Sequence, residues 1–289
     1  MNGLNLNSKL MHNNSKKSLI VITFSKGFYL IFAKIRFISH LRKKKKDFVI
    51  FKQKDLKKLN NKYKYQILEN QKLDLWGAGF YSWKPVIVHD AFKRISIGNY
   101  LLYVDIGCDL NLGENLDLVL QHFEKGNYHV LISTVESKSG LVNKIGAAEK
   151  FWTFEPLIRR YGLSDFEMNS PQFAATWFLI RKTILTQELI HEWVDRSFEE
   201  NSYFLKGEDK KGESSHFAHR HDQSILSCIL KFYMRDKGLK ILRSSEMKNF
   251  DLVTPSRNLW ITKKRSIYTQ IINKALYKIR IIVAKSKYL

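Results

Sequence analysis

The chain has 289 residues, 44% of them hydrophobic and 13% aromatic, enough for one large α/β domain or two small ones and too apolar for global disorder. Its formal net charge of +22 implies an anionic partner: nucleic acid, an acidic membrane surface or a phosphorylated substrate. Two cysteines, Cys108 and Cys228, neither in a CxxC pair, argue against a disulfide framework or a zinc site and suit a reducing, cytoplasmic setting.

Residues 1–17 lack the apolar stretch of a signal peptide and read as a disordered lead. No apolar run reaches the about 18 residues of a spanning helix. "SLIVITF" (Ser18–Phe24) predicts a buried strand. Tyr29, Phe32, Ala33 and Phe37 then fall near helical spacing, which predicts a helix from Phe28 to Lys43 with its cations at the C-terminal end. "DFVIFKQ" (Asp47–Gln53) completes a β-α-β unit, the start of a parallel sheet. Asp55–Asn70 is polar and lysine-rich, helix plus loop. "PVIVHDAFKRI" (Pro85–Ile95) reads as a helix with proline in its first turn, and "YLLYVD" (Tyr100–Asp105) as the next strand. A helix over Leu116–Phe123 and a strand over Tyr128–Thr134 follow. Pro171–Thr183 reads as strand passing into turn, Thr186–Glu199 as an amphipathic helix and Phe204–His219 as a loop. Asp222–Met234 reads as a helix capped by its aspartate.

Three clusters have residue types that carry chemistry. Asp105 stands at the carboxyl end of a buried strand, where open α/β folds bind ligands. Gly107 leaves room for close approach and Asp109 follows. Oxygen ligands there suit Mg²⁺ or Mn²⁺, and a strand-end aspartate capping a turn fits equally. "WGAGFYSWKP" (Trp76–Pro85) sets glycines, aromatics and Lys84 before a helix start, a phosphate-favouring arrangement or a packed aromatic loop. "HFAHRHDQS" (His216–Ser224) offers metal-ligand and acid-base types, or a polar helix-capping loop.

Together, "GAGFYSWKPVIVHDAFKRISIGNYLLYVDIGCDLN" and the intact "HRHDQS" of His219–Ser224 resemble a bacterial glycosyltransferase-like family of the nucleotide-diphospho-sugar transferase superfamily, the GT-A fold. The likeness runs roughly from Ser18 to Leu242. It implies a single α/β, Rossmann-like domain at 18–250 with a mostly parallel central sheet flanked by helices. It also implies hexosyl transfer from a nucleoside-diphosphate sugar to a glycan or lipid-linked hydroxyl acceptor, in surface polysaccharide or lipopolysaccharide synthesis. Asp222 would be the catalytic base or a carboxylate that orients the acceptor. Lys84, Trp83, Gly79, Asp105 and Gly107 would bind the donor, with Lys84 near its diphosphate. Gln172, His221 and Gln223 would line the acceptor or donor-sugar side. Asp105, with Asp109 and His221, would hold Mn²⁺ or Mg²⁺; Gly107 stands where the fold's D-x-D motif has its second acid.

Residues 251–289 form a basic amphipathic tail. No acidic residue occurs from Arg257 to Leu289, and Ile267, Ile271, Ile272, Ala275, Leu276, Ile279 and Ile282 recur at helical spacing. Such a segment suits the anionic inner face of the cell membrane or a helix docked on the domain. Two competing functions fit the composition: a GT-A-like protein without activity, and a basic nucleic-acid binder. Against the second, the cations are scattered and no recognition motif is present.

Overall fold

Strands β1 (Leu19–Ser25), β2 (Asp47–Lys52) and β3 (Tyr100–Val104) lie parallel in the order β2-β1-β3. The sheet continues through β6 (Phe173–Arg181) to β5 (Val130–Thr134) and β7 (Ile241–Arg243). Only β6 runs against the others; β5 and β7 pair in parallel. This computed structural model describes residues 17–25, 47–56, 58, 61–73, 79–110, 115–135, 146–207, 219–247 and 253–255. The expected helix over Phe28–Lys43 and the tail beyond residue 255 lie outside them, as do residues 1–16 and most of the Phe204–His219 loop.

The central strands are near-continuous apolar runs because both faces are covered. On one face Phe24, Leu101, Tyr103 and Ile132 meet three helices: α3 (Trp83–Arg94), α8 (Ile184–Phe198) and α10 (His221–Asp236). Ile87, Trp193 and Ile229 are fully buried there. On the other face Leu19, Val21, Leu102 and Leu131 meet Leu116, Val119 and Phe123 of α4 (Asn115–Lys125). Each such side chain contributes about 1.5–3 kcal/mol by leaving water. The remaining helices are α1 (Gln53–Leu56), α2 (Asn61–Leu73), α5 (Glu149–Trp152), α6 (Glu155–Arg160), α7 (Asp165–Asn169) and α9 (Tyr203–Lys206). The turn from β6 into α8 is fixed by Thr183, whose hydroxyl caps the Thr186 N–H at 3.2 Å.

The α/β class and the mostly parallel sheet are as expected. Two details differ. First, α10 begins at His221 with Arg220 as its cap, so Asp222 lies in the first turn and makes no capping bond. Its carboxylate is engaged elsewhere. Second, β8 (Val253–Pro255) pairs antiparallel with β4 (Cys108–Leu110), and Val253 is buried. β8 lies just beyond residue 250, at the start of the segment expected to be the tail.

Candidate active site

The topology brings four chain segments to one edge of the sheet. β3 points its carboxyl end there, and Asp105 follows, its N–H donating to Thr176 O at 2.8 Å. Because β6 is antiparallel, its amino end, with Gln172 and Ala175, reaches the same edge. The N-termini of α3 and α10 bring Lys84 and Asp222.

These residues meet at the Lys84 ammonium. Nζ lies 3.0 Å from Asp222 Oδ2 and 3.4 Å from Asp105 Oδ1, and it donates to Ala175 O at 3.2 Å. It thus makes one directed hydrogen bond and two charge contacts. The side chain is only 4% exposed, as is that of Asp222, whereas that of Asp105 is 30% exposed. Burial alone would strip the proton from Lys84; the Asp105 and Asp222 carboxylates outweigh it and hold the pKa above the ordinary lysine value. Burial raises the Asp222 pKa, opposed by the Lys84 charge. Asp222 Oδ2 has no well-aligned hydrogen bond, so its partner is that charge rather than a directed donor. Tyr103, fully buried in β3, donates its hydroxyl to Asp105 Oδ1 at 2.5 Å. Asp105 is therefore fixed from below by a phenol and from the side by an ammonium.

The structure does not present every expected donor-binding residue to a ligand. Lys84 is buried between two carboxylates and donates to Ala175 O. Trp83 is buried in the core, its ring stacked 4.1 Å from Phe24. Gly79 (φ +92°) serves packing: a Cβ there would lie 2.8 Å from Gln71 N at the end of α2. Gly107 is different, since a Cβ there would meet no atom of the described residues within 4 Å beyond its chain neighbours.

Gln172 and Gln223 are drawn into a buried polar network. Gln223 Nε2 donates to Gln172 Oε1 at 2.6 Å, and Gln223 Oε1 accepts from Ala175 N at 3.2 Å. Gln172 Nε2 donates in turn to Glu149 Oε1 at 2.9 Å. Glu149 is wholly buried, paired with Lys231 at 3.0 Å and bonded by Ser227 and Thr153. This network ties the first two turns of α10 to β6 and α5. Glu149 was not visible in the sequence as a functional residue; apart from Thr153, four residues on, its partners Gln172, Ser227 and Lys231 lie far along the chain and share no spacing.

The histidine motif is anchored on α9. His219 Nδ1 accepts from Phe154 N at 3.1 Å, so Nε2 carries the proton it donates to Phe204 O at 2.7 Å. His221 Nδ1 donates to Leu205 O at 2.9 Å, which leaves Nε2 as the ring's acceptor position. Arg220 stacks on Trp152 at 3.9 Å. Among the described residues no group of three His, Cys, Asp or Glu side chains forms a cation cage. Asp109 is placed in β4, and its side chain lies outside the described part of the structure.

No family model matches the chain, and no curated protein matches it in sequence. Among solved structures it is similar to the bifunctional glycosyltransferase WbbM, at 15% identity and TM-score 0.41, over 78% of this chain and 39% of that one. It is similar to mouse xyloside xylosyltransferase 1, at 11% identity and TM-score 0.41, over 78% and 84%. It is also similar to the galactosyltransferase LgtC in complex with donor and acceptor sugar analogs, at 12% identity and TM-score 0.38, over 78% and 73%.

Proposed function

We propose that the chain is a glycosyltransferase that moves a hexosyl group from a nucleoside-diphosphate sugar to a hydroxyl acceptor. The observation that supports this best is the pair of unlike carboxylates, Asp105 and Asp222, joined by one buried ammonium at the ligand-binding edge of the sheet. Asp222 is desolvated and its pKa is raised, which strengthens it as a base. It takes the proton of the acceptor hydroxyl as that oxygen bonds to the anomeric carbon. The bond from that carbon to the diphosphate oxygen breaks, and the nucleoside diphosphate leaves with the electron pair. Lys84 keeps the two carboxylates in place. The N-termini of α3 and α10 favour the negative charge of the leaving group.

Asp105, the more exposed carboxylate beside the space at Gly107, is the group suited to the donor. It fits as one oxygen ligand of Mn²⁺ or Mg²⁺ whose other ligands are phosphate oxygens, with His221 Nε2 a further candidate. When bound, such a cation would supply charge neutralisation for the departing diphosphate.

For the acceptor we propose a surface glycan or a lipid-linked glycan, met at the anionic inner face of the cell membrane. The charge of +22 and the basic sequence from Arg257 to Leu289 support that placement. No helix among the described residues is long and apolar enough to cross a membrane. A thermal-shift screen against UDP-, GDP-, CMP- and dTDP-sugars, with and without Mn²⁺, followed by donor-hydrolysis assays, tests the reading. One donor class should raise the melting temperature and be turned over. A protein that neither binds nor hydrolyses any of the four overturns it. Separately, full-length protein should pellet with anionic liposomes and a variant lacking Arg257–Leu289 should not; equal pelleting of both refutes the membrane placement.

A further inference from the structure

The turn that leads into α3 has a conformation the proposed reaction does not account for. Gly79, Phe80 and Tyr81 have φ values of +92°, +54° and +56°, three successive residues in the left-handed region. Glycine adopts it freely; bulky L-residues are strained there, and such strain gathers at functional sites. The two strained side chains diverge. Phe80 packs against the core with its ring 5.1 Å from that of His221. Tyr81 stays 39% exposed, although Ser82 and Trp83 immediately after it are buried. Its ring centroid lies 5.2 Å from Lys84 Nζ, the ammonium that holds Asp105 and Asp222. The turn thus places an exposed aromatic ring directly beside the paired carboxylates, where the buried Trp83 ring cannot serve.

We propose that Tyr81 is the platform on which the hexosyl ring of the donor stacks, and so a determinant of which sugar is transferred. This rests on the transferase reading above. Position favours the sugar over the nucleobase: the ring adjoins the carboxylates, and the reacting carbon must come to Asp222, while the base lies beyond two phosphates. The π-face of a tyrosine also attracts the positive charge that develops at the anomeric carbon.

Strain makes the test selective. Glycine or asparagine at position 81 suits the left-handed backbone better than tyrosine. Tyr81→Gly and Tyr81→Asn in the full chain should melt no lower than wild type. Calorimetric titration then uses two probes: the nucleotide sugar selected by the donor screen, and the corresponding nucleoside diphosphate. Both variants should bind the nucleotide sugar about tenfold more weakly and the nucleoside diphosphate as wild type does, while Tyr81→Phe should match wild type for both. Unchanged affinity for the nucleotide sugar overturns the proposal, as does an equal loss for both probes, which would put the base or diphosphate on the ring. Lower melting of both variants shows that the turn exists for packing and likewise overturns it. A wild-type protein that binds neither probe refutes the transferase reading itself, and the platform with it.

Discussion

Lys84→Met removes the only ammonium between two carboxylates while keeping the side chain's length and apolar body. At 3.0 and 3.4 Å, the attraction to Asp222 and Asp105 is about 5 kcal/mol each at an effective dielectric constant of about 20. The desolvation of Lys84 offsets much of that. Breaking such a buried pair from one side costs about 3–5 kcal/mol, because the remaining charges have no partner. Urea denaturation at pH 7 should show a loss of this size. The sign with pH is fixed by the direction of the shift. The Lys84 pKa is raised above 10.5 in the fold, so its stabilisation is complete below 10.5 and fades only as pH rises through the folded value. In the variant the penalty sits on the carboxylates, and it should shrink as acid protonates Asp222. Adding Asp222→Asn to Lys84→Met should restore part of the stability, giving a coupling energy of about 0.5–3 kcal/mol. Additivity of the two single losses, or a loss under about 1 kcal/mol for Lys84→Met, would refute the coupled triad. So would a variant of normal stability whose only defect is donor affinity, since that would return Lys84 to the diphosphate.

Asp222→Asn should lower kcat by about 10²–10⁴ with little change in donor KM, and the acid limb of wild-type kcat/KM should lie above the ordinary carboxylate value of 3.8. Turnover within tenfold of wild type sinks the base assignment. Gly107→Ala should leave the melting temperature unchanged, since the added carbon meets no atom of the described residues within 4 Å beyond its chain neighbours, yet weaken donor binding; unaltered affinity would show that the space at Gly107 is not used. Glu149→Gln leaves Lys231 without its carboxylate and should destabilise by about 3–5 kcal/mol in chemical denaturation. His89 is held neutral, mainly by burial and also by Lys93 and His191, with its pKa pushed down from 6.5 to about 4. The unfolded chain binds that proton first, so stability should fall as pH drops from 6.5 toward about 4. His89→Gln should flatten that part of the curve, and an unchanged pH dependence would refute the assignment.

The strands were legible because their environment is written locally: "LIVITFS" and "YLLYV" are apolar without a break, as burial on both faces requires. Strand direction was not. Nothing in "FAATWFLIR" distinguishes a parallel from an antiparallel neighbour, yet the reversal of β6 is what carries Gln172 and Ala175 to the edge where β3 ends. Asp105 and Asp222 could be picked out by residue type and position at element ends. The inward course of Lys84 could not, because its acceptors at 105, 175 and 222 converge only in the folded chain. A lysine at a helix start reads as solvent-facing until its partners are known. Asp222 illustrates the same limit: cap chemistry is local and favoured it, but a buried cation from another helix competes better for a carboxylate than a backbone N–H does.

The pairing of β8 with β4 bears on how the protein is made. β4 begins at Cys108, three residues after Asp105, and its partner strand is synthesised 145 residues later. A nascent chain that has already formed β1, β3, β5 and β6 still lacks the clasp on the loop through Gly107. Asp222 emerges late as well. The edge of the sheet is therefore completed by the last described segments to leave the ribosome, and a chain interrupted before Val253 would lack the strand that pairs with the segment after Asp105 and Gly107.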